Sequence, residues 1–277
     1  MPQTMVLKGE LIYFAHQLDK SFKELIIIPI SDLHYGNPLS SVKHFAATVD
    51  FVKQTNNVFV ILNGDMIEAV TKTSLGDIYK QRGTPMEQAQ WVVEKLLPIK
   101  DRILGITMGN HEERIYRDVG IDLCDYMGIQ LGAPYRDSGI LLKISFGDYS
   151  RFTKGKPYSY FLYATHGYGG ARTKAAKAVK VERVGGWIHA DCYIMSHDHV
   201  VNVSPDVYLM PDNRTHLDPI TGLRKGAVIE HRKLYVKSNA FLKWGNYSEA
   251  RGFPPSDLET PQIFLAGQGR KRIRVLV

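Results

Sequence analysis

Apolar and polar positions along this chain fall into two regimes. In the first half, short β-branched runs alternate with stretches of helical period. Glu24–Ile30 (ELIIIPI) is a compact apolar run closed by Ser31 and Asp32, which predicts a buried strand. Leu39–Lys53 predicts a helix, Asn57–Leu62 a second strand, and Met86–Leu97 a helix that Pro85 starts and Pro98 stops. Ile103–Met108 and Glu112–Met127 repeat the strand–helix pair. A βαβαβ order of this kind implies parallel pairing.

The second half changes rhythm. Gly139–Phe146 and Tyr158–Thr165 predict strands with no room for a helix between them. Ala171–Val184 predicts a helix, and Asp191–Met195, Lys233–Lys237 and Arg272–Val277 predict short strands. Six of the thirteen prolines lie beyond residue 200, so residues 200–277 are expected as antiparallel strands and loops. Residues 66–85 are polar without a clear period and are expected as a mobile insertion. No internal repeat is visible, and residues 1–277 are expected to form one α/β domain, parallel at first and antiparallel later.

Five short polar motifs follow directly on these apolar runs. They are Asp32-Leu33-His34, Asn63-Gly64-Asp65, Gly109-Asn110-His111-Glu112, Thr165-His166-Gly167 and His197-Asp198-His199. Strand ends are where ligand sites form in open α/β sheets, because the sheet holds the side chains at fixed positions. Each motif alone has a commonplace explanation, such as a surface turn or a satisfied interior histidine. Their joint occurrence in this order points to a metal centre. Asp, His and Asn donors without cysteine suit Mn²⁺, Fe, Zn²⁺, Ni²⁺ or Mg²⁺ rather than a thiolate site. They are too many for one four-coordinate ion and suit two ions sharing a carboxylate.

Composition narrows the partners. Of 277 residues, 44% are hydrophobic and 23% charged, an ordinary globular balance. The longest strongly apolar run, Leu25–Ile30, falls far short of the roughly 20 residues needed to span a bilayer. No signal peptide is visible, and two cysteines make no disulfide framework, so a cytoplasmic, non-membrane protein is expected. The net charge of +7 is local. Between Arg151 and Ile188 stand eight basic residues and one acid, while the remaining residues sum to zero. That segment contains His166 and the helix Ala171–Val184, with Lys174, Lys177 and Lys180 stepping by three beside Arg172 and Arg183. Ala171, Ala175, Ala178 and Val179 are expected to pack on the sheet.

The motif series D-x-H, G-D, G-N-H-E, H and H-x-H, running from Asp32 to His199, resembles the calcineurin-like metallophosphoesterase superfamily. The resemblance implies a four-layer α-β-β-α sandwich of two mixed β-sheets, classed as α/β or α+β. It also implies two divalent metal ions, with Mn²⁺ the first expectation and Fe, Zn, Ni or Mg as alternatives. Asp32, His34 and His199 would bind one ion, Asn110, His166 and His197 the other, and Asp65 would bridge them. His111 would face the scissile phosphate without binding metal, and Glu68 would orient His111, or else be an exposed helix acid. Ser196 stands where glycine is usual, and Ala69 and Val70 replace the Arg-Gly of the protein phosphatases.

The implied activity is metal-dependent phosphoester hydrolysis by a hydroxide held between the metals. Arg172, Lys174, Lys177 and Lys180 beside such a centre favour a phosphodiesterase or nuclease acting on DNA or RNA, with Tyr158, Tyr160, Tyr168 and Trp187 as candidate stacking surfaces. The alternatives are a phosphomonoesterase or pyrophosphatase for small nucleotides or phosphoproteins, and a non-catalytic scaffold. The oligomeric state is open.

Overall fold

The apolar runs become the strands of two six-stranded sheets in the computed structural model, which describes residues 12–72, 74, 76–148, 156–245, 249, 255 and 258–277. In chain order these are β1 (Tyr13–Gln17), β2 (Glu24–Ile30), α1 (Val42–Gln54), β3 (Val58–Asn63), α2 (Pro85–Leu96), β4 (Ile103–Thr107), α3 (Asn110–Val119), α4 (Leu123–Leu131), β5 (Tyr135–Arg136) and β6 (Ile140–Phe146). Then follow β7 (Tyr158–Thr165), α5 (Lys174–Val184), β8 (Cys192–Met195), β9 (Asn202–Leu217), β10 (Arg224–Lys237), β11 (Gln262–Ala266) and β12 (Ile273–Leu276).

One sheet runs β12-β11-β2-β3-β4-β5, with β2 to β5 parallel and β11 and β12 added antiparallel. The other runs β1-β6-β7-β8-β10-β9 and is mixed. Strand alternation sorts the side chains. Leu25 and Ile27 of β2 meet Ile144, Tyr160 and Ile194 between the sheets, while Ile28 and Ile30 pack on α1 and α2. Helix α5 covers the far side of the second sheet through Val181 and Val184. The result is the α-β-β-α sandwich that the motif resemblance implies.

Local chemistry sets the helix ends. Thr84 and Glu87 form a reciprocal capping box ahead of Pro85 in α2. The stretch expected as one helix from Glu112 to Met127 is two. Gly120, at φ 72°, ends α3, and the Asp122 carboxylate accepts the Cys124 and Asp125 N–H groups to start α4. Helix α5 begins at Lys174, capped by Thr173, three residues later than expected.

Two further expectations change. Within the segment 66–85, Met66, Ile67, Ala69 and Val70 are buried, so the polar stretch starts only after Val70. Beyond residue 200, β9 and β10 form a hairpin far longer than the short strands predicted, and β10 also pairs parallel with β8. Tyr158 and Tyr160 are core residues rather than stacking surfaces, whereas Tyr168 and Trp187 are exposed. Arg151 and Lys154 of the basic segment lie outside the described residues.

Candidate metal centre

The five motifs converge on one end of the sandwich. Asp32 and His34 follow β2, Asp65 follows β3, Asn110 and His111 open α3 after β4, His166 follows β7, and His197 and His199 follow β8. Strands of both sheets therefore contribute, although their motifs span 168 residues of sequence.

Their donor atoms form two sets. His199 Nε2 lies 3.1 Å from Asp32 Oδ1 and 3.3 Å from His34 Nε2. His166 Nε2 lies 3.2 Å from Asp65 Oδ2, 3.3 Å from Asn110 Oδ1 and 3.3 Å from His197 Nδ1. Asp65 Oδ2 also lies 3.8 Å from His34 Nε2, so one carboxylate oxygen stands between the sets. The other oxygen, Oδ1, accepts the His111 N–H at 2.9 Å. Asp32 is used alike: Oδ2 accepts the His197 N–H at 3.2 Å, while the buried Oδ1 makes no hydrogen bond. A buried carboxylate oxygen without a donor, facing imidazole nitrogens, is costly in a protein interior and suits a cation. Three groups here could hold cations, Asp32 with His34 and His199, His34 with Asp65 and His111, and Asp65 with His166 and His197, and Asn110 Oδ1 lies beside the last of them.

The backbone here is strained. Among the described residues, six non-glycines have positive φ, and five of them are Asp32, His34, Asp65, His197 and His199. Such conformations cost on the order of 1–3 kcal/mol each and persist only where the surroundings impose them. Two close approaches help to impose them. A Cβ at Gly109 would stand 2.1 Å from Asp65 N, and one at Gly64 would stand 2.7 Å from Gly109 N and from His166 Nδ1. Only glycine lets these loops pack this closely.

Buried charges also shift. Burial disfavours the charged form of His34, but Glu68, Asp65 and Asp32 outweigh it and raise the pKa to about 9. Likewise His166 is raised to about 10, against burial, by Asp65 and Asp32. Asp32 and Asp65 are both lowered, the neighbouring imidazoles overcoming burial. His111 goes the other way, pushed down to about 4 by burial.

Glu68 acts differently from the expectation. It is buried rather than an exposed helix acid. Its backbone carbonyl, not its carboxylate, accepts from His111 Nδ1 at 2.6 Å. The carboxylate lies closer to His34 Nδ1, at 3.2 Å, than to His111 Nδ1, at 3.8 Å. Glu68 therefore orients His111 through its main chain and His34 through its side chain.

The basic helix is corrected more strongly. Lys177 is buried and its Nζ donates to Asp198 O at 3.0 Å, while Lys180 Nζ donates to Asp198 Oδ1 at 2.7 Å. Of the face expected to pack on the sheet, Ala175 and Val179 are exposed and Ala171 and Ala178 half-buried, while Val181 and Val184 are buried instead. With Lys177 held by a main-chain carbonyl and Lys180 by a carboxylate, only Arg172 and Lys174 of the four remain exposed.

The parts played by three further residues were not foreseen. Lys237, fully buried at the end of β10, donates to Asp198 Oδ2 at 2.6 Å and to Ser196 O at 2.8 Å. With Lys180 it clamps the residue between His197 and His199. Nothing in the local sequence separates Lys237 from a surface lysine. Glu112, also fully buried, accepts the N–H groups of Asp65, Met66, Ile67 and Gly109 at 2.7–3.1 Å, tying the β3 and β4 loops together. Its place next to His111 was the available signal. Ser196 accepts from Asn63 Nδ2 at 2.6 Å and meets Ser238 Oγ at 2.8 Å, which gives the hydroxyl a use where glycine is usual.

The model of the calcineurin-like phosphoesterase family matches residues 26–244, which includes every residue of the cluster. The chain belongs to that family. This chain is accordingly a phosphoester hydrolase of the metallophosphoesterase superfamily, a family that depends on two metal ions, and it carries groups of candidate metal ligands. Solved structures similar to it include a conserved uncharacterized protein, a predicted phosphoesterase from Streptococcus pneumoniae, at 11% identity and TM-score 0.39, covering 92% of this chain and 91% of that one. A Vps29 double mutant from Entamoeba histolytica matches at 9% identity and TM-score 0.39, covering 91% and 98%. Haemophilus influenzae NAD nucleotidase matches at 13% identity and TM-score 0.37, covering 91% of this chain and 49% of that one. No curated relative matches the chain. Among the described residues no helix is long and apolar enough to cross a membrane.

Proposed function

We propose that this protein is a two-metal phosphodiesterase whose substrate is a nucleic-acid strand, with Mn²⁺ as the working metal. The observation that carries the hydrolytic reading is Asp65 Oδ2 standing between two complete donor sets, with His111 Nε2 3.9 Å from the same oxygen. Two divalent ions held by these residues would supply Lewis-acid charge to a phosphate and acidify water near neutral pH.

The chain's own residues do the rest. The His111 hydrogen bond to Glu68 O fixes a proton on Nδ1 and leaves Nε2 directed to the cluster. Burial keeps this ring neutral in the free protein. A phosphoester beside Nε2 brings negative charge that favours its protonation, and the held ring then donates to the leaving oxygen. Asn110 Nδ2 is available to a phosphate oxygen, since its Oδ1 is turned toward His166.

The substrate class rests on the rim. Gly169 O, next to exposed Tyr168, accepts from His197 Nε2 at 3.0 Å, and Arg172 and Lys174 follow on the same segment. An aromatic face and two cations at the mouth suit a base and its backbone phosphates. The complete ligand set speaks against a scaffold that has lost its metals.

A screen with Mn²⁺-loaded protein tests this. It compares an aryl phosphomonoester, an aryl phosphodiester, pyrophosphate, and single- and double-stranded nucleic acid. Diester and nucleic-acid cleavage, the latter falling steeply with salt, is the expected result. Turnover confined to monoesters or pyrophosphate would overturn the diesterase and nuclease reading in favour of a small-molecule phosphatase. Fewer than about one bound ion per chain would overturn the two-metal reading itself.

A further inference from the structure

The hairpin of β9 and β10 outgrows the sandwich. At its base, Val203, Leu234 and Val236 point into the core between the sheets. Cross-strand partners share a face, so the register Val203↔Val236, Pro205↔Leu234, Val207↔Arg232, Leu209↔Glu230 and Pro211↔Val228 carries that core-facing side outward along the arm. There no described residue covers it. Leu209 is 66% and Val228 61% exposed, and Val207 and Pro211 are exposed beside them. A two-stranded ribbon with apolar side chains is marginal alone in water and needs a covering layer.

The same face identifies what covers it. Glu230 and Arg232 stand two residues apart on β10, both exposed, and neither forms an ion pair among the described residues. A surface holding one acid and one base beside an apolar ladder complements its own image across a two-fold axis. In that arrangement Glu230 meets Arg232 of the second copy, and Arg232 its Glu230. The open edge is guarded. A proline cannot donate to a ladder, so Pro205 and Pro211 on the edge strand β9 disfavour strand addition. Association is therefore through the face. The opposite face is better filled near its base, where Tyr208 stacks on His231, donates to or accepts from His189 at 2.7 Å, and lies under Lys233 Nζ at 4.4 Å.

We infer that the β9–β10 arm is a homodimerisation element, two copies packing arm on arm through Val207, Leu209 and Val228 with reciprocal Glu230–Arg232 pairs. Sedimentation equilibrium and light scattering on the full chain across the micromolar range test it. The wild type is expected at twice 31.3 kDa. Leu209→Asp, Glu230→Arg and Arg232→Glu are each expected to raise the dimer dissociation constant at least tenfold, while circular dichroism shows folded protein. Combining Glu230→Arg with Arg232→Glu restores opposite charges across the axis and is expected to return the dimer. A monomeric wild type, a dimer indifferent to all three substitutions, or a double reversal no better than the singles would each overturn the proposal. None of these residues belongs to the metal centre, so failure here leaves the hydrolytic reading untouched, and failure of the activity screen leaves the dimer untouched.

Discussion

Replacing Lys237 by methionine removes one ammonium from beneath the metal centre and keeps the volume of the side chain nearly constant. Lys237 is fully buried, and its Nζ serves Asp198 Oδ2 at 2.6 Å and Ser196 O at 2.8 Å. Breaking a buried ion pair from one side costs about 3–5 kcal/mol, because the remaining charge is left in a poor solvent. Lys180 still holds Asp198 Oδ1, which places the substitution near the lower end of that range. Burial also lowers the Lys237 pKa, against the pull of Asp198, so part of the gain is already spent on desolvation. For a chain of this length about 3 kcal/mol corresponds to a fall in Tm of roughly 6–12 °C. The function follows from the position. Asp198 separates His197 and His199, both held at positive φ, and relaxing it should weaken metal binding by about 10–100-fold. Denaturant unfolding and calorimetric Mn²⁺ titration measure the two effects. Asp198→Asn should cost a similar amount, and the double variant less than the sum of the singles, a coupling of about 0.5–3 kcal/mol. A Lys237→Met protein with unchanged Mn²⁺ affinity and a stability loss under about 1 kcal/mol would refute the clamp.

Asp65→Asn should lose bound metal, counted by elemental analysis, whereas His111→Ala should keep its metal and lose about 10²–10⁴-fold in kcat; full activity in the latter would remove His111 from the chemistry. Glu112→Gln replaces one acceptor of four converging N–H groups by a donor, and should cost about 2–4 kcal/mol in a denaturant melt; a neutral result would show that the loops hold without it. His34 and His166, raised from 6.5 to about 9 and 10, stabilise the metal-free protein fully below pH 6.5 and progressively less as pH rises through 9–10. Since ions must displace those protons, stabilisation by Mn²⁺ should grow over the same window, and thermal melts showing it shrink would contradict the assignment.

The alternation of apolar runs determined much of this protein. Strands β2, β3, β4, β6, β7 and β8 and helices α1 and α2 follow from local periodicity, since burial of one face or both is written into the residues themselves. The convergence of the candidate metal ligands was legible for a related reason: each sits close after a strand, so its position in the sheet fixes its position in space. What the chain could not declare is which charges end up inside. Lys177, Lys180 and Lys237 read as solvated lysines, yet they close on Asp198 because three segments distant in sequence meet there. The displaced buried face of α5 has the same origin, a carboxylate below the helix offering more than a few alanines can. The length of the β9–β10 arm and its bare apolar side also depend on tertiary context, because a strand is exposed or covered only by what the second sheet reaches. Local pattern decides the elements and the ends at which chemistry can sit. The meeting of remote segments decides which polar groups are desolvated, and desolvation, unlike periodicity, is a property of the assembled molecule.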